Sequence, residues 1–214
     1  MENFKGYHAE WNLGCPGGWE YQKMAQQRGK LCWSRVKEIS GTDIDLDFNH
    51  PLLNPVSKFI EMLLRVHWSR FSRQKPFILL VAEKETLDVV TENINLVKYL
   101  NAMDGVEAAL TCPEELEQKE GDVAYRGRKA TVIFLDINND VLCNIGKKHD
   151  IEPLFSGIKK GIVVNPRGME PVGAKGVFEA VTGELSFLLS PSTVEHTPWT
   201  RLFYPRETTG PNDE

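Results

Sequence analysis

Apolar and polar positions along this chain change period several times, and each change marks an element. Tyr7, Ala9, Trp11 and Leu13 alternate with His8, Glu10 and Asn12, the period of a half-buried strand, and a loop of Gly14, Cys15, Pro16, Gly17 and Gly18 follows. Residues 19–50 are of mixed polarity with no long period. Within them Ile44, Leu46 and Phe48 alternate with Asp43, Asp45 and Asp47, which predicts a short strand or extended segment. A helix is expected from Asn54, as N-cap, and Pro55, because Val56, Phe59, Ile60, Leu63 and Leu64 recur at helical spacing. From residue 77 the pattern becomes that of strand–helix units. "FILLVA" reads as a strand covered on both faces, and Leu87, Val90, Ile94, Val97 and Leu100 as a helix ending near Gly105. "VEAAL" predicts a second strand and "PEELEQ" a short acidic helix. Residues 122–136 predict two strands around a turn at Gly127. Pro153 opens another short helix, "GIVV" a last strand, and residues 176–189 a last helix.

Strands near 78–82, 106–110, 131–135 and 162–165, separated by helical segments, predict an α/β fold of three layers. Its sheet would be small, mixed or parallel, and flanked by helices. Residues 1–190 then form one domain, with a strand-and-helix appendage at 1–72. Residues 191–214, with prolines at 191, 198, 205 and 211, read as an extended arm or a truncated linker.

Composition narrows the function classes. The chain has 214 residues, 41% hydrophobic and 26% charged, enough to bury a core. A net charge of −5 argues against nucleic acid as a partner. The longest apolar run is six residues, too short for a bilayer, and the amino terminus lacks the basic-then-apolar order of a secretory signal. A cytoplasmic protein is expected, and the four unpaired-looking cysteines (Cys15, Cys32, Cys112, Cys143) read as reduced thiols. The dinucleotide and P-loop fingerprints are absent, and the five histidines have no metal spacing. Asp43, Asp45 and Asp47 read as a solvated face, since the glycine and glutamate of a calcium loop are missing.

Candidate chemistry falls at strand ends and glycine loops. Asn12, Gly17 and Gly18 can line a pocket with a side-chain amide and backbone N–H groups, or form a simple turn. Arg126, with Arg128 across a hairpin glycine, can hold a carboxylate bidentately, or be a solvated tip. Asp136 and Asn165 each end an apolar strand and can face a crevice at the carboxyl ends, although Asp136 can equally cap the turn at Asn138 and Asn139. Lys175 can meet an anionic group near the following helix, or sit on the surface.

Several of these stretches resemble one family. "HAEWNLGCPGG" (8–18), "DVAYRGRKATVIFLD" (122–136), the "VVNPRG" and "VGAKGVFEAVTG" of 163–183, and "TPWTR" (197–201) are similar to the pre-ATP-grasp region of circularly permuted ATP-grasp proteins, relatives of glutathionylspermidine synthase. The resemblance touches most of residues 7–201. It implies a pre-ATP-grasp-like fold and the substrate-side domain of an ATP-dependent carboxylate–amine ligase, an enzyme type that forms an acyl phosphate and then an amide. It implies ATP and magnesium for the full-length relative but none bound by this chain alone. The partners it implies are a small-molecule substrate and a C-terminal ATP-grasp module or partner subunit, which these residues lack room to supply. "FLD" departs from relatives, which often carry an arginine-bearing strand end there. The alternatives are a stand-alone small-molecule or protein-binding module without catalysis, and an amidase-like hydrolase with Cys15 or Cys32 as nucleophile.

Overall fold

Strand β1 (Phe77–Ala82) buries all six of its side chains, and the fold is built around it. A strand can do this only when both faces of its sheet are covered, as in a parallel sheet between helices. The computed structural model describes residues 17–49, 55–166, 177–183 and 186–199. The chain divides into two compact units, Cys15–Pro166 and Met1–Gly14 with Arg167–Glu214.

In the first unit, helices α1 (Trp19–Ser40) and α2 (Pro55–Arg70) precede β1, and α3 (Thr91–Asn101) leads to β2 (Glu107–Thr111). Three short strands follow, β3 (Glu117–Lys119), β4 (Asp122–Tyr125) and β5 (Arg128–Lys129). Strand β6 (Val132–Asp136) then leads to helices α4 (Asn139–Gly146) and α5 (Glu152–Lys159). Strands β2, β1 and β6 form a parallel sheet in that order, with Leu79 opposite both Ala109 and Ile133. Val163 extends the sheet beyond β6 by a parallel bridge to Ile133. The strands expected near 78–82, 106–110 and 131–135 are therefore present, and the fourth is reduced to a bridge.

Side chains alternate across this sheet and build two cores. Ile78, Leu80, Val132 and Phe134 pack with Phe59 and Leu63 of α2 and Leu96 and Leu100 of α3. Leu79, Val81, Ile133 and Leu135 pack on the other face with Val123, Tyr125, Leu142 and Leu154. Helices thus flank the sheet on both sides, and each fully buried Leu, Ile or Val contributes roughly 1.5–3 kcal/mol. Helix α5 approaches closely because Gly157 has no side chain. A Cβ there would lie 3.0 Å from Val123 Cγ2 and 3.3 Å from Ile133 Cδ1.

Strands β3, β4 and β5 form a separate antiparallel sheet. Both of its turns are two residues long, Glu120–Gly121 (φ 53° and 79°) and Arg126–Gly127 (φ 50° and 72°), as tight hairpins require. This corrects two expectations. The acidic helix at 113–118 is a single 3₁₀ turn (Pro113–Glu115) followed by β3. The apolar strand after Gly127 does not pair with β4 but crosses to the parallel sheet, leaving Arg128 and Lys129 to close the hairpin.

Residues 19–40, where no long period was found, are the longest helix of the described residues. None of its residues is buried, so no apolar stripe announces it. Its first turn holds it to the body, with Trp19 stacked on Phe59 at 4.4 Å and a chain of bonds from Lys23 to Tyr99 Oη (2.9 Å) to Glu20 (2.5 Å). The segment after Gly41 runs back along it, with Trp33 Nε1 donating to the Ile44 carbonyl (3.2 Å). That segment is extended and joins no ladder. Ile44 and Leu46 stay exposed. No helix among the described residues is long and apolar enough to cross a membrane.

Among the described residues the second unit has two short helices, Val177–Thr182 and Pro191–Glu195, and a 3₁₀ turn at Ser186–Leu188. The continuous helix expected over 176–189 is interrupted there. Ser190 caps the last helix, accepting from the Thr193 N–H at 3.2 Å.

Candidate functional site

Sheet topology singles out one edge. The chain leaves β1 toward β2 on one side, and later returns to place β6 on the other. The carboxyl ends of β1 and β6 therefore flank a topological switch point, the usual place for a crevice in an open α/β sheet. Ala82 and Asp136 stand opposite each other at these ends.

Asp136 is half-buried, and Asn93 in the first turns of α3 donates from Nδ2 to its Oδ2 at 2.6 Å. Asn93 is only 4% exposed, so its amide is fixed by packing as well as by this bond. The neighbouring Glu92 reaches the other way. Its two oxygens accept from the backbone N–H groups of Gly18 and Glu20, both at 2.9 Å. These are open donors at the start of α1, where a carboxylate is favoured by both hydrogen bonding and the helix dipole. Gly17 lies against the same carboxylate, and a Cβ on it would be 3.3 Å from Glu92 Oε2. Gly17, Gly18 and Asp136 are thereby brought to one edge through the adjacent pair Glu92–Asn93.

Asn165 lies beside them but faces the strand. Its Oδ1 accepts from the Leu135 N–H (2.9 Å) and its Nδ2 donates to the Leu135 carbonyl (2.7 Å). The side-chain amide thus continues the ladder that Ile162 and Val164 make with Ile133. Arg126 is elsewhere. Its hairpin sits at the amino end of the sheet, where Arg128 pairs with Glu107 and lies 4.2 Å over the Phe77 ring, while Arg126 covers Tyr125. Phe77 and Ala82 are the first and last residues of β1, about 16 Å apart along an extended strand. Asn12 and Lys175 lie outside the described residues, as do Cys15 and Asn54.

Glu92 and Asn93 were not among the residues singled out from the sequence. Asn93 had a signal, since it stands three and seven residues before Leu96 and Leu100 on the buried face of α3. A polar residue on an apolar stripe needs a partner, and Asp136 is that partner. Glu92 had none, because its partner is a backbone terminus distant in sequence.

Chemically, the edge is rich in acceptors. Asp136 can accept further hydrogen bonds, and a hydroxyl or amine donor suits it. Among the described residues no group of three or more His, Cys, Asp or Glu can hold a metal ion. At the start of α1 the N–H groups of Gly18 and Glu20 are already bonded to Glu92. Cys32 is exposed on α1 and Cys112 is buried beside Glu114 and Glu115, where burial and these carboxylates push its thiol up to about 11. Such a thiol is a poor nucleophile at neutral pH.

Two cavities lie away from this edge. One, of about 730 Å³, runs along the outer face of α2 past Ile60, Leu64 and Trp68 to Met103. The other, of about 450 Å³, lies at the amino edge. Compared with known proteins, the chain matches no family model and no curated protein.

Proposed function

We propose that this chain is the substrate-side, pre-ATP-grasp-like domain of an ATP-dependent carboxylate–amine ligase, with ATP and magnesium held by a module beyond these residues. The observation that carries the reading is the switch-point edge, where Asn93 fixes Asp136 and Glu92 gathers Gly17 and Gly18 beside it. The sequence resemblance supports the same reading, because its motifs at 8–18 and 122–136 include Gly17, Gly18 and Asp136. In this reading the domain binds and orients a substrate at Asp136, and no nucleotide step is routed through its own side chains.

The test is made on the longer protein that this reading requires. It should release ADP from ATP only when both an acid and an amine substrate are present. Asp136→Asn should reduce that turnover at least tenfold while the urea midpoint stays near that of the parent. ADP release that ignores the second substrate, or an Asp136→Asn protein with full turnover, would overturn the reading.

A second reading is favoured by the same edge taken alone. With acceptors gathered but no metal-holding group among the described residues, the domain can be a binding module without chemistry. It then binds a donor-rich small molecule at Asp136 with no ATP requirement, which calorimetry with and without ATP separates from the first.

A further inference from the structure

The geometry points to a second binding site, at the opposite edge of the parallel sheet, for a small organic anion: a phosphate or carboxylate carried on an apolar body. The cavity of about 450 Å³ there is of the size that holds small ligands. Phe71, Ala130 and Ile162 give it an apolar wall, and Arg70, Lys129 and Lys160 bring three cations to it. None of these residues belongs to the switch-point edge.

Three features make this more than a collection of surface lysines. First, the cations have named partners. Asp122 pairs with Lys160 and with Lys129 (3.3 Å), Lys129 also pairs with Glu120 (2.6 Å), and Arg70 Nη1 donates to the Lys160 carbonyl at 3.1 Å. Second, two glycines in the left-handed region clear the space. A Cβ on Gly161 (φ 65°) would lie 2.7 Å from Arg70 Nη2, and one on Gly121 (φ 79°) would lie 3.9 Å from Lys160 Nζ. Third, the charges do not balance. Three cations face two carboxylates, and among the described residues no carboxylate lies within ion-pair distance of Arg70. Its planar fork keeps donors available after the bond to Lys160, the arrangement suited to a bidentate anion. The bond also occupies a carbonyl at the end of α5 that would otherwise repel an anion.

The predicted ligand follows from this division. Its anionic end meets Arg70 with Lys129 and Lys160 nearby, and its apolar body lies on Phe71 and Ile162. Phenyl phosphate, benzoate, inorganic phosphate and benzyl alcohol probe the parts separately, by calorimetry at fixed ionic strength with amide chemical shifts to locate binding. Phenyl phosphate or benzoate should bind one to one, the tighter of the two naming the head group. Inorganic phosphate and benzyl alcohol should each bind at least tenfold more weakly. Shifts should centre on Gly121 and Gly161. Arg70→Gln should weaken binding at least tenfold. Lys129→Gln, at an exposed position that leaves the fold intact, should weaken it several-fold. Absence of saturable binding by both aromatic anions, inorganic phosphate binding as tightly as they do, shifts centred on Asp136, or unchanged affinity in Lys129→Gln would each overturn the proposal.

Discussion

The two edges of the parallel sheet are both lined with polar side chains, yet those chains are held by different physics. At the carboxyl edge Asn93 is buried, Asp136 and Asn165 are half-buried, and each key bond is made to one partner at 2.6–2.9 Å. At the amino edge the charged groups pair on the surface, with the side chains of Lys129, Lys160 and Asp122 each more than a third exposed. A buried polar atom that loses its partner has no water to replace it, whereas a surface ion loses little. The carboxyl edge is therefore rigid and specific, and the amino edge adjustable.

The strongest way to break this contrast is to invert one bond at Asn165. In Asn165→Asp one oxygen still accepts from the Leu135 N–H, but the other meets the Leu135 carbonyl, where Nδ2 had donated. The expected cost at pH 7 is about 2–3 kcal/mol, that of setting a half-buried charged oxygen against a carbonyl. A protonated carboxyl can donate to that carbonyl, so the folded-state pKa of Asp at 165 is raised. The protonated form restores stability at low pH, and the loss grows as pH rises from the unfolded value through the folded one. Urea unfolding of variant and parent at pH 4 and pH 7 measures both, and an equal loss at the two pH values would show that the ladder contact does not govern the site.

Asn93→Leu should cost about 1–3 kcal/mol, because Asp136 then loses the donor that holds it. Adding Asp136→Leu should recover much of that loss, since two matched apolar groups leave nothing unpaired. A coupling energy near zero in the double-mutant cycle would place the two residues in independent roles.

The amino edge also holds a buried histidine, and it sharpens the comparison. His67 is fully buried between Trp68 and Phe71, and its Nε2–H donates to the Gln74 carbonyl at 2.9 Å, which leaves Nδ1 a bare acceptor. Burial holds its pKa below the ordinary 6.5, with the Gln74 bond opposing in part. In this window the unfolded chain binds a proton that the folded one refuses, so stability falls as pH drops below about 6.5, by at most about 1.4 kcal/mol per pH unit. His67→Phe should flatten the thermal-unfolding profile between pH 6.5 and 5. A parent profile already flat there would remove His67 as the cause.

How much of this could be read in advance depended on whether a signal was local. The runs at 77–82 and 131–135 announced buried strands because continuous apolar character over five or six residues fits a doubly covered sheet. Helix α1 stayed hidden because nothing on it is buried, so Tyr21, Leu31 and Ile39 mark no inward stripe. Strand β3 was masked by helix-favouring Glu and Gln, although Glu120–Gly121 is as good a hairpin turn as Arg126–Gly127. Asp136 was visible as the polar end of an apolar strand. That Arg126 lies at the other end of the sheet was not, because the chain changes sheets at Ala130 and Thr131. There Thr131 Oγ1 donates to the Phe77 carbonyl (3.1 Å) and accepts from the Phe77 N–H (3.0 Å), and no periodicity encodes that crossing.

The smallest effect is expected where the ion pairs are most numerous. Lys160→Gln removes the partner that contributes most to drawing the Asp122 carboxyl below its ordinary 3.8. Both groups are solvated, and the second contact to Lys129 remains, so the expected loss at pH 7 is about 1 kcal/mol or less after screening. A depressed carboxylate contributes above its unfolded pKa, and the contribution disappears as pH falls through the lower folded value. The difference between parent and Lys160→Gln should therefore be constant from pH 7 to about 5 and close below pH 4. It should also shrink in 1 M NaCl, where the screening length is about 3 Å, while the cost of Asn93→Leu persists. If salt erased both differences alike, the carboxyl edge would be as solvated as the amino edge, and its fixed geometry around Asp136 would need another cause.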